Sequence, residues 1–172
     1  MNQYQDEYWI RYALRLAHRA WKQGEVPVGA VLVQGIQVIG EGWNQSISQH
    51  DPTAHAEIIA LRQGGRFLEN YRLLDTTLYV TLEPCFMCAG AMVHGRITRL
   101  VYGASDEKTT ASRSLIDVLS HFGTNHQVVV ASGVLEEACA MMLRDFFRIR
   151  RKQKKTLWQA RHGSNLCGYP RC

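Results

Sequence analysis

A chain of 172 residues that is 46% hydrophobic and 20% charged, with 14 Gly and 4 Pro, has the composition of an ordinary globular domain. That length buries a core unaided, which excludes collagenous, low-complexity and wholly disordered readings along with a disulfide-stapled miniature. The net charge of +5 is unevenly spread: eight basic residues from Arg144 to Arg161 face one acid, Asp145, a net +7 that leaves the rest of the chain at −2.

The N-terminal MNQYQDEYWI is polar and acidic where a signal peptide would be basic and then apolar. No apolar run approaches the roughly 18 residues of a membrane span, so a cytoplasmic protein without a membrane partner is expected. Trp9, Ala13, Leu16 and Ala20 recur at spacings of 4, 3 and 4, which predicts a helix from about Glu7 to Lys22, ended by Gly24. Val26 to Val33 and Gln37 to Gly42 read as two short strands joined in a hairpin through Gln34-Gly35. Asp51-Pro52-Thr53 turns the chain into a helix from about Ala54 to Arg62, with Gly64-Gly65 as its stop. A third strand, Thr77 to Leu82, runs into Glu83-Pro84 and a helix from about Cys85 to His94.

Arg99 to Tyr102 and Gln127 to Ala131 are the fourth and fifth strands, and the long link between them, with a helix-like Leu115 to Leu119, suits a parallel crossover. Leu135, Ala138, Met142, Phe146 and Ile149 define a last helix with the basic residues on its outer face. The order predicts a three-layer α/β/α sandwich around a mixed five-stranded sheet whose last two strands are parallel. One domain over residues 1–157 is expected, followed by a disordered tail over 158–172, which has no apolar period. The basic segment suits a phosphate backbone or, equally, a solvated terminal helix; charge alone does not choose.

Five cysteines is an odd count, and Cys85 and Cys88 are three apart at a helix start, so metal or thiol chemistry takes precedence over crosslinks. Positions i and i+3 share a helical face, and the positive end of the helix dipole favours the thiolates. With His55 they supply three ligands of a Zn²⁺ set, and three protein ligands leave a fourth position for water, the arrangement of a catalytic site. Glu57, two residues beyond His55, is expected beside that position as a proton carrier. A closed structural site completed by Cys139, His94 or His50, or a redox Cys-x-x-Cys, would not explain the glutamate.

The blocks EVPVGAVLV (Glu25 to Val33), GEGWN (Gly40 to Asn44), HDPTAHAEI (His50 to Ile58), TLEPCFMCAGAM (Thr81 to Met92) and DFFRIRR (Asp145 to Arg151) resemble the bacterial tRNA-specific adenosine deaminases of the cytidine deaminase-like superfamily. The resemblance covers about Tyr8 to Lys152. It implies one zinc per chain on His55, Cys85 and Cys88, with Glu57 as catalytic proton shuttle. It also implies hydrolysis of adenosine to inosine at the wobble position of a tRNA anticodon loop, and a homodimer. Asn44 is implied to contact the flipped nucleoside, Asp106 and Lys108 the flanking nucleotides, and Phe147 the target base, with Arg148 beside it on the RNA. Ser112-Arg113 departs from the small residues usual in that loop. Two rivals remain, a free-nucleoside or free-base deaminase, which has no need of the basic helix, and an RNA-binding scaffold with structural zinc, which has no need of Glu57.

Overall fold

Alternate residues along each central strand feed two different cores. Ala30, Leu32, Leu78, Val80, Leu100 and Tyr102 are buried on one face of a sheet, and Val31, Val33, Tyr79 and Val101 on the other. That period of two is what a sheet covered on both faces requires. In the computed structural model, which describes residues 3–105, 119 and 126–162, the elements are α1 (Gln3–Lys22), β1 (Gly29–Gln34), β2 (Gln37–Trp43), α2 (Ala56–Phe67), β3 (Thr76–Leu82), α3 (Phe86–Gly95), β4 (Arg99–Ala104), β5 (Val129–Ala131) and α4 (Glu136–His162).

The sheet order is β2-β1-β3-β4-β5, with β1 antiparallel to β2 and β3, and β3, β4 and β5 mutually parallel. Helices α2 and α3 cover one face through Ala56, Ala60, Leu61, Cys88, Ala89 and Met92. Helix α1 covers the other through Trp9, Ile10, Ala13 and Leu16, joined there by Cys139 of α4. The mixed sheet, its parallel end and the three layers are those the sequence predicts. Among the described residues no helix is long and apolar enough to cross a membrane.

Several boundaries move, each for a physical reason. Strand β1 begins only at Gly29, since Pro27 has no N–H to give a ladder. Helix α2 runs through Gly64-Gly65 to Phe67, because Gly64 lies against the sheet where a Cβ would stand 2.3 Å from Leu32 Cδ2. The glycine there serves packing and is no stop signal. Helix α4 continues to His162, past the Leu157 limit, through lysine, arginine and glutamine, which are good helix formers. Phe146 of the expected stripe is buried and Leu135 packs against the core, but Ala138 and Ile149 are exposed and Cys139 is buried in place of Ala138. Leu115 to Val118, Ser112-Arg113 and residues 163–172 lie outside the described residues.

Two buried polar groups tie the layers. Asp6 of α1 accepts two hydrogen bonds from Arg99 of β4, at 2.7 and 2.8 Å, and one from the Tyr79 hydroxyl of β3 at 3.2 Å. The Arg99 guanidinium holds the Asp6 carboxyl below its ordinary range, and burial pushes the Tyr79 phenol up to about 12. Glu25, 2% exposed, accepts from the backbone N–H groups of Ile47 and Ser48, the latter at 2.8 Å, and so pins the segment between β2 and α2.

Candidate active site

Strand β2 runs parallel in direction to β3 and β4, since both β2 and β3 are antiparallel to β1. The carboxyl ends of these strands therefore share one sheet edge, where helices that follow such strands begin and where ligands bind in open α/β sheets. Helix α3 starts four residues after β3 and α2 starts after the loop that follows β2. His55 is the N-cap of α2 and Cys85 the N-cap of α3, both in extended backbone (ψ 153 and 170) and neither making a side-chain cap bond. Ser, Thr, Asp and Asn are the residues that cap well, and forgoing them costs about 0.5 to 2 kcal/mol per helix. Two helices that place a histidine and a cysteine there instead give up capping to aim a donor at common space.

The cap of α2 is supplied from a distance. Asn44, just beyond β2, accepts a hydrogen bond on Oδ1 from the Ala56 N–H at 3.0 Å, and Asp51 Oδ1 accepts from the Thr53 N–H and hydroxyl at 2.7 Å each. Helix α2 can approach β2 closely only because Gly42 has no side chain: a Cβ there would stand 1.9 Å from the Ala56 carbonyl oxygen. The first turn of α2, which carries His55 and Glu57, is thus registered against the sheet edge by backbone contact.

His55, Cys85 and Cys88 converge. The distances Cys85 Sγ to His55 Nδ1, Cys88 Sγ to His55 Nδ1 and Cys85 Sγ to Cys88 Sγ are all 3.6 Å. Zinc with Zn–S of about 2.3 Å and Zn–N of about 2.0 to 2.1 Å at tetrahedral angles sets its donors about 3.5 to 3.8 Å apart, so the triangle has the size the ion requires. Two sulfurs and one imidazole nitrogen also suit a borderline-soft cation, and among the described residues no group of hard oxygen ligands joins them. Among the described residues no fourth histidine, cysteine or carboxylate joins the group. Cys139 is ruled out by position, because it is buried in the α1-side core on the opposite face of the sheet. At 3.6 Å the two sulfurs are unbonded, which sets aside a Cys85–Cys88 disulfide in this structure.

The electrostatics divide the thiols. Hydrogen bonds from Cys88 and His55 hold the Cys85 thiol down at about 4, while the neighbouring Cys85 sulfur and burial push Cys88 up. The His55 imidazole is raised by its hydrogen bond to Cys85. A second thiolate beside the first needs a cation to stabilise it, which is the demand a divalent metal meets. Glu57, 4% exposed in the first turn of α2, is raised above the ordinary carboxylate range chiefly by burial. A carboxyl raised that way holds a proton more readily than a free one and can both accept and return it.

Of the residues the sequence singles out, His55, Cys85 and Cys88 are brought together and Glu57 lies on the same helical turn. Phe147 and Arg148 lie on α4, which supplies none of the three donors. Phe147 is 44% exposed and edge-on to Phe146, and Arg148 pairs with Asp145 at 2.9 Å. Asp106 and Lys108 lie outside the described residues. The sequence reading overlooks Glu25 and the capping of α2 by Asn44; a charged residue opening an otherwise apolar strand segment is the only local sign of the former.

Residues 4–151 match the model of the MafB19-like deaminase family. The chain is 59% identical over 151 residues to the tRNA-specific adenosine deaminase of Haemophilus influenzae, covering 87% of each. It superposes with a TM-score of 0.74 and 42% identity on a structure from a study of A-to-I editing by tRNA:A34 deaminases at the wobble position of transfer RNA, over 79% of this chain and 99% of that one. The guanine deaminase of Nitrosomonas europaea shares the architecture, TM-score 0.72 over 81% of this chain and 83% of that one, at 24% identity. A likeness at that level speaks for the fold alone.

Proposed function

Since the chain belongs to the bacterial tRNA-specific adenosine deaminases, within the MafB19-like deaminases, we propose that it converts the wobble adenosine of a tRNA anticodon loop to inosine and holds one zinc ion on His55, Cys85 and Cys88. The observation that carries this reading is the 3.6 Å triangle of three donors with no fourth protein ligand among the described residues and a buried glutamate on the adjoining helical turn. A zinc ion so held supplies a Lewis acid that brings a water molecule's pKa toward neutrality. Glu57 takes one proton from the attacking water and delivers it to adenine N1 as the C6–O bond forms, then takes the remaining proton of the new C6 hydroxyl and passes it to the amino group, which leaves as ammonia. The C6–N bond breaks and the ring carbonyl of inosine forms, so atoms and protons balance.

Asn44, its Oδ1 occupied by Ala56, presents its amide NH₂ as the group left to hold the extruded nucleoside. Asp106, Lys108, Phe147 and Arg148 are assigned to the flanking RNA. An unpaired anticodon loop makes extrusion of the base cheap. The cytoplasm, where tRNA is matured, is the compartment this reading requires. A homodimer completes it: α2 and α3 leave a groove of about 760 Å³ bordered by Ile58, Leu61, Tyr71, Met87 and Ala91, an apolar surface beside the ligand-bearing helix that a second copy would cover. Sequencing a tRNA with adenosine at the wobble position after incubation with the protein should show conversion read as guanosine at that position alone. Conversion scattered over other adenosines would refute the assignment, and a mass corresponding to a monomer in sedimentation would remove the dimer.

A further inference from the structure

Glu25 stands on the short link between α1 and β1 and is 2% exposed. Among the described residues it enters no ion pair, and it lies outside the His55–Cys85–Cys88 group. A carboxylate buried without a cation is unfavourable, and an apolar side chain of similar size would serve stability as well or better. What it holds is therefore the clue to its presence. Its Oε1 accepts from the Ile47 N–H at 3.0 Å and from the Ser48 N–H at 2.8 Å, and its Oε2 accepts from the Ile47 N–H at 3.2 Å. Two successive backbone amides thus stand where a cation would, in charge-assisted bonds stronger than neutral ones.

Those amides belong to a turn over residues 46–50 in which Ile47 to His50 are all exposed. The turn closes on itself, Gln49 N–H donating to the Gln45 carbonyl at 2.9 Å and Asp51 N–H to the Ser46 carbonyl at 3.2 Å. Among the described hydrogen bonds, only those accepted by Glu25 reach residues 46–50 from outside this loop. The feet of the loop stand at the candidate active site: Asn44 N–H donates to the Val28 carbonyl at 3.1 Å, and Gln45 N–H to the carbonyl of Ala54 at 3.0 Å, one residue before His55. Because Asn44 Oδ1 is tied to the Ala56 N–H at 3.0 Å, the direction of its NH₂ follows the backbone at 44 and 45. We infer that Glu25 is a positioning residue: it acts through the 46–50 turn to hold the Asn44 amide in the orientation that receives the nucleoside, and it touches neither substrate nor metal. The inference rests on the proposed deaminase reading for the role of Asn44 and adds to it a residue remote from Asn44 in the chain.

The test uses the full-length, zinc-loaded chain and an anticodon stem-loop with adenosine at the wobble position. Glu25→Met keeps the length of the side chain and removes both acceptors, while the freed N–H groups of Ile47 and Ser48 lie on exposed residues and turn to water. Its zinc content should equal the parent's and its thermal midpoint should be no lower, since a buried charge has been replaced by an apolar group. KM should nevertheless rise about ten-fold with kcat kept within about two-fold, the pattern of lost uniform binding on the scale of one hydrogen bond to a charged group. Amide hydrogen exchange should quicken at Ile47 and Ser48 and stay unchanged at Ile59 of α2. Glu25→Gln, whose Oε1 can still accept from both amides, should recover most of the KM. Action through Asn44 also requires non-additivity: Asn44→Asp keeps the acceptor for the Ala56 N–H and removes the NH₂, and adding Glu25→Met to it should raise KM by no more than about two-fold further. A parental KM in Glu25→Met, or the full loss repeated on top of Asn44→Asp, would overturn the inference. So would a fall in zinc or midpoint in step with activity, which would make Glu25 a structural residue only. The parent's turnover tests the proposed reaction separately: inosine formed equally well by parent and Glu25→Met sinks this inference alone, whereas a parent that forms none sinks both.

Discussion

Glu57 combines two properties that work against each other in most proteins: a carboxylate 4% exposed and a position on the first turn of a helix beside two sulfurs. Burial raises its pKa, and in that state it can relay protons without binding the metal. Glu57→Gln should therefore keep zinc at one equivalent by elemental analysis while the rate falls by roughly 10² to 10⁴, the usual contribution of a positioned acid–base group. Loss of zinc with the substitution would make Glu57 a ligand instead. At this scale the sequence was most informative, because His-x-Glu and Pro-Cys-x-x-Cys are local spacings that a helix start converts directly into convergent donors. Asn44 was less legible: its oxygen caps a helix twelve residues away, a duty set by how β2 and α2 meet and not by neighbours in the chain.

The elements are held at the site by close backbone approach. Gly42 lets α2 lie against β2, so Gly42→Ala, whose Cβ would meet the Ala56 carbonyl at 1.9 Å, should move the first turn of α2 and with it His55. Overpacking against backbone costs about 1 to 3 kcal/mol, and the zinc content should drop together with the thermal midpoint. A fully loaded, equally stable variant would show that α2 is not registered by that contact. The same physics explains where element boundaries escaped sequence reading. Gly64-Gly65 looks like a helix stop until the Leu32 side chain beneath Gly64 is known. On α4 the expected Phe146 is buried, but Cys139 takes the place of Ala138: both are small enough to face a core, and only the position of β4 with Gly103 selects Cys139.

On the scale of the whole molecule, an apolar sheet covered on both faces is joined across its layers by the Asp6–Arg99–Tyr79 contact. The Asp6 carboxyl is depressed in the folded chain, so its contribution is present above the unfolded value near 3.8 and disappears as pH falls through the lower folded value. Thermal stability should decline on acidification below about pH 4, and Asp6→Asn should be less stable at neutral pH and lose part of that decline, as expected for a carboxylate paired only in the folded state. An Asp6→Asn variant with an unchanged midpoint at pH 7 would mean that the pair is only an ornament of the α1–β4 junction. The three layers and the mixed sheet were legible because period-two and period-3.6 patterns assign faces and a long link implies a parallel crossover, whereas the strand order β2-β1-β3-β4-β5 is set by pairings that no local pattern encodes. The projecting end of α4 was not, since a helix without a buried stripe has no periodic signal, only charge.

Chemistry at one end of the sheet and charge along one projecting helix together imply that the reacting base arrives as part of an RNA. Binding energy from remote groups is what orients the base, so a substrate lacking them should lose kcat as well as affinity. The decisive measurement is kcat/KM for inosine formation on an anticodon stem-loop with adenosine at the wobble position, compared with the same loop carrying cytidine there, with free adenosine and with free cytidine. The stem-loop adenosine should be favoured over free adenosine by orders of magnitude and over the cytidine loop by at least as much. Equal values for stem-loop and free nucleoside would place the protein among small-molecule deaminases, and preference for the cytidine loop would contradict the base assignment.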